Sequence, residues 1–193
     1  MSTITNVALN HLCEHLQVIE SISKTCLPSI ESASKIIVDA LSVGGTLFWC
    51  GNGGSSADSL HLAAELIGRF KNEREPIRSI ALTTDTSVIT CIANDYNYED
   101  VFSRQLAGVA RKQDVLVVIS TSGNSKNILQ VLQKAKTMGV RTVALLGNDG
   151  GESKDISDTS IIIPSSSTAR IQEAHILIGH IMCDLIERGL NYV

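Results

Sequence analysis

The chain has 193 residues, 44% of them hydrophobic and only 3 of them proline, so it can bury a core as one domain and is not disordered. Its net charge of -4 gives no broad basic surface for nucleic acid, although local amides and helix ends can still hold phosphate. No apolar run approaches the ~18 residues of a membrane span.

Two helical stretches come first. Residues 4–25 carry Val7, Leu9, Leu12, Leu16, Ile19 and Ile22 at helical intervals and stop before Pro28. Residues 30–43 repeat the pattern and end at Gly44-Gly45. Both precede the first strand, with no sheet of their own to cover, so an oligomer interface is their expected use. His11 and His15 lie four apart on the first helix; without a third ligand or a loop nearby they read as a polar stripe. The first fifteen residues lack the basic start and apolar centre of a secretory signal.

Residues 46–50 are a short run of β-forming apolar residues, suited to a buried strand. Gly51-Asn52-Gly53-Gly54 follow, a backbone free to take positive φ and to approach a ligand closely. Ser55, Ser56 and Asp58 open a helix that keeps helical apolar spacing to Phe70. Strand, glycine turn and helix start make an anion-binding corner, because unpaired amides and the helix dipole both point at the turn. His61 and Glu65 follow one turn later. A spacing of four puts imidazole and carboxylate on one helical face, within reach of one metal ion or one substrate.

A charged connector leads to a second short strand, 79–83. Asp85, Thr86 and Ser87 can cap a helix through Ile92, broken at Asn94-Asp95, and 98–110 reads as a further helix. Residues 114–120, DVLVVIS, are the clearest buried parallel strand. The loop Ser120-Thr121-Ser122-Gly123-Asn124-Ser125 then opens an amphipathic helix over 126–138. It offers hydroxyls, helix-start amides and no acidic residue, which suits a phosphate; it is not a Walker loop. Strands at 141–146 and 160–163 and a closing helix over 168–187 complete the chain. Strands alternating with helices mean a doubly wound, mainly parallel α/β sheet flanked by helices, with ligands beyond the carboxyl ends of the strands. The expected organisation is one domain over 1–193, with 1–45 a helical extension and 46–193 the sandwich.

The 5 cysteines (Cys13, Cys26, Cys50, Cys91, Cys183) are scattered and mostly set in apolar segments, as reduced thiols are. With the missing signal, this gives a cytoplasmic expectation. On the closing helix, Glu173 and His180 differ by about 20° and Gln172 and His180 by about 80°. His180 with either of them would complete a zinc set with His61 and Glu65, and the spacing does not choose between the two. His175 lies on another side.

The strings CGNGGSSAD, HLAAELIGRF, TTDTSVITCIANDYNYE, STSGNS and RIQEAHILIGH resemble those of the phosphoheptose isomerases of the sugar-isomerase (SIS) superfamily, whose fold is flavodoxin-like. The resemblance implies one zinc per active site on His61, Glu65, Gln172 and His180, choosing Gln172 over Glu173. It implies Glu65 and His180 as the acid–base pair. Substrate contacts are implied at Asn52, Gly53, Gly54, Ser55, Glu65, Asn94, Asp95, Ser120, Thr121, Ser122, Ser125 and Gln172. The implied reaction is interconversion of sedoheptulose 7-phosphate and D-glycero-D-manno-heptose 7-phosphate through an enediolate, for lipopolysaccharide heptose. The implied assembly is a cytoplasmic homotetramer with sites at subunit contacts, without nucleic acid or membrane. Ala169 stands where some members carry aspartate, and Ser56 where some carry histidine. Two other readings share the fold: another phosphosugar isomerase or lyase, or a non-catalytic member that binds a replication initiator or regulates transcription. The Thr168-Ala169-Arg170 string with IQE resembles the initiator-binding branch, but that branch is understood to lack the full glutamate and histidine pair kept here.

Overall fold

Alternation of large apolar residues along the strands builds this fold, because each strand feeds two cores. The computed structural model describes residues 3–192. Among them are eight α-helices and five strands, in the order α1 (Thr3–Thr25), α2 (Leu27–Ser42), β1 (Leu47–Gly51), α3 (Gly54–Ile67), β2 (Ser79–Ala81), α4 (Thr86–Asp95), α5 (Val101–Val109), β3 (Val115–Ser120), α6 (Lys126–Met138), β4 (Arg141–Gly147), α7 (Ser153–Ile156), β5 (Thr159–Ile163) and α8 (Thr168–Gly189). A 3-10 turn, Tyr98–Asp100, leads into α5. The strands form one sheet in the order β2-β1-β3-β4-β5, every neighbouring pair parallel.

Val115, Val117 and Ile119 of β3 point into one layer, with residues of α2, α3 and α8. Leu116 and Val118 point into the other, with Phe102, Leu106, Ile128, Val131 and Leu132 of α5 and α6. The chain leaves β1 to β2 on one side and returns to β3 on the other. The carboxyl ends of β1 and β3 therefore flank the topological switch point, where a crevice opens.

The leading helices differ from expectation. Ile30, Ala33, Ile37 and Ala40 of α2 are buried in the same core as Leu47, Val115 and Val143, so α2 does cover the sheet. Residues 1–45 thus do not stand apart from the sandwich. The physical reason is coverage: with α3 and α8 alone, that face would leave much of a five-stranded sheet wet. α1 divides in two. Val18 and Ile22 join the core, whereas Ile4, Val7, Leu12 and Leu16 lie exposed, Leu16 by 65%.

Smaller differences have local causes. α3 is capped by Gly53, at φ 56, and not by a serine side chain. α4, its start anchored by Asp85 accepting from the Val88 amide, ends at Asp95, where the break was expected. The single helix expected over 98–110 is a 3-10 turn followed by α5. The short α7 had no expected counterpart.

His175 of α8 is fully buried, its Nε2–H donating to the Leu146 carbonyl at 3.1 Å. Burial lowers its pKa to about 4, so it is neutral in the fold. An unfolded histidine titrates near 6.5, so between pH 6.5 and 4 the unfolded chain binds the extra proton. Stability should therefore be complete above pH ~6.5 and fall by up to about 3 kcal/mol as the pH drops to ~4. Denaturant titrations across this range should lose most of that slope in His175→Gln; an unchanged slope would place the titration elsewhere.

Candidate active site and metal centre

The turn after β1 is held open toward the switch-point crevice by an amide pair. Asn52 and Asn127, the latter in the first turn of α6, donate to each other's side-chain oxygens at 2.9 Å both ways. The Tyr98 hydroxyl also donates to Asn52, at 3.1 Å. Gly54 has no room for a side chain, because a Cβ there would lie 2.6 Å from the Gln172 Nε2 atom. Gln172 of α8 is thereby placed at the N-terminus of α3. The Ser55 and Ser56 amides are engaged with the Asn52 and Gly53 carbonyls. Ser55 is buried beneath the turn, packed toward Gly51.

The loop after β3 faces the same crevice. The Ser120 hydroxyl accepts from the Gly123 amide, and Ser122 from the Asn124 amide, which sets the bend. Ser122 is exposed and Thr121 half-buried. Its far side is tied down: Ser153 donates twice to the Gly123 carbonyl, and Asn124 accepts from the Glu152 amide. Asn148 donates to the Thr121 carbonyl. Ser125 precedes α6 with no side-chain cap, so the helix start presents its dipole to this loop.

α3 and α8 supply a cluster of metal-capable donors beside this crevice. His61, Glu65 and His180 place one ligand atom each within 4.8 Å of one another. The His61 and His180 Nε2 atoms are 3.0 Å apart, and His61 Nε2 lies 3.1 Å from Glu65 Oε1. A tetrahedral zinc ion holds neighbouring donors about 3.3 Å apart, close to both spacings. Two imidazoles and a carboxylate are also the donor chemistry zinc takes, and the residues fit it. Glu173 is committed elsewhere, to Arg170 and to His15 Nδ1 at 2.7 Å, which leaves Gln172 facing α3. His15 is accordingly a partner of α8 and not a free polar stripe.

Asn94 and Asp95 end α4, exposed and bonded to each other at 2.9 Å, while the Cys91 thiol donates to the second Asp95 oxygen. Asp58 keeps one buried carboxylate oxygen without a partner among the described residues, and burial raises its pKa. Asn127 and Tyr98 escaped the sequence reading. A polar residue on the buried side of α6, directly after the STSGNS loop, was the available signal.

The SIS domain family model matches residues 11–147. A phosphoheptose isomerase of Akkermansia muciniphila is 54% identical over 161 residues, covering 83% of this chain and 85% of that protein. One from Helicobacter pylori is 48% identical over 174 residues, 90% and 91% of the two chains. Among solved structures, a phosphoheptose isomerase from Neisseria gonorrhoeae has a TM-score of 0.92 at 39% identity, covering 96% of this chain and 100% of that one.

Removing one donor should loosen the metal. His61→Ala should bind zinc at least about tenfold more weakly in a chelator competition, since changes merely behind a ligand already cost that much. An unchanged affinity would take His61 out of the donor set.

Proposed function

The chain belongs to the SIS domain family and, within it, to the phosphoheptose isomerases, which are aldose–ketose isomerases, and from that premise we propose that it converts sedoheptulose 7-phosphate to D-glycero-D-manno-heptose 7-phosphate. The observation that carries the reading is the meeting of Glu65, His61 and His180 within 4.8 Å, on the helices that also bring Gln172 to the β1 turn. We place the product in lipopolysaccharide heptose biosynthesis and the enzyme in the cytoplasm. The cysteines Cys13, Cys26, Cys50, Cys91 and Cys183 are all free, in keeping with a reducing compartment.

The phosphate binds at the 120–125 loop. Ser122 accepts from a neighbouring amide, so its own proton is free for a phosphate oxygen. Thr121, Ser125, Ser120 and the uncapped start of α6 complete that end of the site. Asn52, Gly53, Gly54, Asn94, Asp95 and Gln172 orient the sugar, while Ser55, buried beneath the turn, backs it. The Glu65 carboxylate takes the proton from the carbon beside the carbonyl and returns it to the former carbonyl carbon, the charge passing through an enediolate. His180 gives and takes the oxygen-bound protons, each such group supplying about 10²–10⁴-fold. One zinc ion, held by His61, Glu65, Gln172 and His180, would supply Lewis-acid polarisation of a substrate oxygen, worth several kcal/mol.

The exposed apolar half of α1 supports self-association, and we propose a homotetramer with sites at subunit contacts. His15–Glu173 and the Arg170 bond to the His11 carbonyl tie α1 to the helix that carries Gln172, so assembly and site share one element. No helix among the described residues is long and apolar enough to cross a membrane.

Glu65→Gln should nearly abolish turnover and exchange of the substrate's alpha proton with solvent, because an amide cannot accept that proton. Full exchange in this variant would move the base role to His180. Ser122→Ala should instead raise KM by about ten- to a hundredfold with kcat less affected, the cost of one hydrogen bond to a charged group. A tetramer mass is expected by light scattering at micromolar concentration, with smaller species for the Leu12→Ser, Leu16→Ser double variant; a monomeric parent would contradict the assembly.

A further inference from the structure

The segment between α3 and β2 reads in the sequence as a charged surface connector, yet α8 holds it by three residues spaced i, i+4 and i+7. The His180 ring stacks on Phe70, centroids 5.4 Å apart and planes 25° from parallel. Asp184 pairs with Lys71 at 3.1 Å. Glu187 Oε1 accepts from the Phe70 amide at 3.2 Å and from Arg74 Nε at 3.0 Å. Arg74 and Glu187 are almost sealed from solvent, with side-chain exposures of 1% and 0%.

The rest of the Arg74 fork closes the end of α3. It donates to the carbonyls of Glu65, at 2.9 Å, Leu66, at 2.7 Å, and Gly68, at 3.1 Å. They lie at and just past the C-terminus of α3, where carbonyls lack intrahelical partners and a cation is favoured; Leu66 accepts from the Ile77 amide as well. One guanidinium therefore grips the backbone of Glu65 and, through Glu187, the backbone of Phe70. A buried ion pair is costly to desolvate and adds little stability over apolar packing; what this one supplies is a set of fixed hydrogen bonds to two segments of backbone. Geometry is what this place requires, because His180 comes from α8 and its partners His61 and Glu65 come from α3.

We propose that Phe70 is a positioning residue for His180, its ring setting the plane of the imidazole, and that the Arg74–Glu187 pair is the clasp that keeps Phe70 there. The proposal rests on the reading of His180 as metal ligand and acid–base partner. An offset stack at this distance restricts how the imidazole turns. The 3.0 Å approach of His180 Nε2 to His61 Nε2 depends on that rotation.

The test compares Phe70→Leu, which keeps apolar volume without a ring, with Phe70→Tyr, which keeps the ring. Zinc is titrated into the metal-stripped chain against a competing chelator, and kcat and KM are measured on the loaded enzyme. Phe70→Leu should bind zinc about tenfold more weakly, the low end of what residues behind a ligand cost, and lose more in kcat than in KM. Phe70→Tyr should stay within about twofold of the parent. Parent-like zinc binding by Phe70→Leu, or equal losses in both variants, would overturn the proposal.

Should the parent itself take up no zinc, the metal reading falls and the stack is judged by nuclear magnetic resonance. The carbon-bound protons of His180 should then carry a ring-current displacement in the parent and in Phe70→Tyr that is lost in Phe70→Leu. A displacement that survives in Phe70→Leu would overturn the stack. Arg74→Lys keeps the charge but not the fork, and should lose the same displacement; its retention there would overturn the clasp.

Discussion

The close approach of α3 and α8 is the constraint on which the candidate centre depends. A Cβ at Gly179 would lie 2.6 Å from Leu62, so only glycine at that position lets the helices meet as they do. One turn from Leu62 along α3 is Glu65; beside it is His61; adjacent to Gly179 is His180. A shift of α8 along α3 by even one residue's rise, 1.5 Å, would separate the His61 and His180 nitrogens now 3.0 Å apart. Gly54 repeats the device at the other end of α3, where the missing side chain admits Gln172. Packing and chemistry are thus set by the same small residues.

The sheet supplies the second half of the site. Its strand order turns back between β1 and β3, and the two loops that leave those strands face each other across the gap. The β1 turn is stitched to the first turn of α6, which the β3 loop opens, by the reciprocal Asn52–Asn127 amides. The loop after β3 is further pinned from behind by Ser153 and Glu152. That pinning explains α7, a single turn whose work is to hold Gly123 and Asn124. A hydroxyl-lined loop on such a backing can bind an anion with little loss of conformational freedom.

Much of this was readable in the chain. The apolar strands, glycine turn, STSGNS loop and i, i+4 pair each have a local physical signature, and helical spacing alone put His61 with Glu65. What stayed hidden depends on tertiary proximity. α2 looked unpartnered because the elements it mainly packs on, β5 and α8, lie far along the chain. Arg74, written in a run of charges, resembled solvated surface, and only the fold brings it to Glu187. His15 likewise met Glu173 across 158 positions. Spacing could not separate Gln172 from Glu173, and neither could it show that they have different neighbours, Gly54 for the first and Arg170 with His15 for the second.

The arrangement joins a carboxylate and two imidazoles to a separate hydroxyl-rich loop, which is what moving a proton between adjacent carbons of a phosphorylated sugar requires. The most direct measurement of the central claim is an isomerase assay on sedoheptulose 7-phosphate with metal analysis of the same protein sample. The account predicts conversion to D-glycero-D-manno-heptose 7-phosphate with one zinc per chain. A pure, folded sample that carries zinc yet leaves sedoheptulose 7-phosphate unchanged would contradict it.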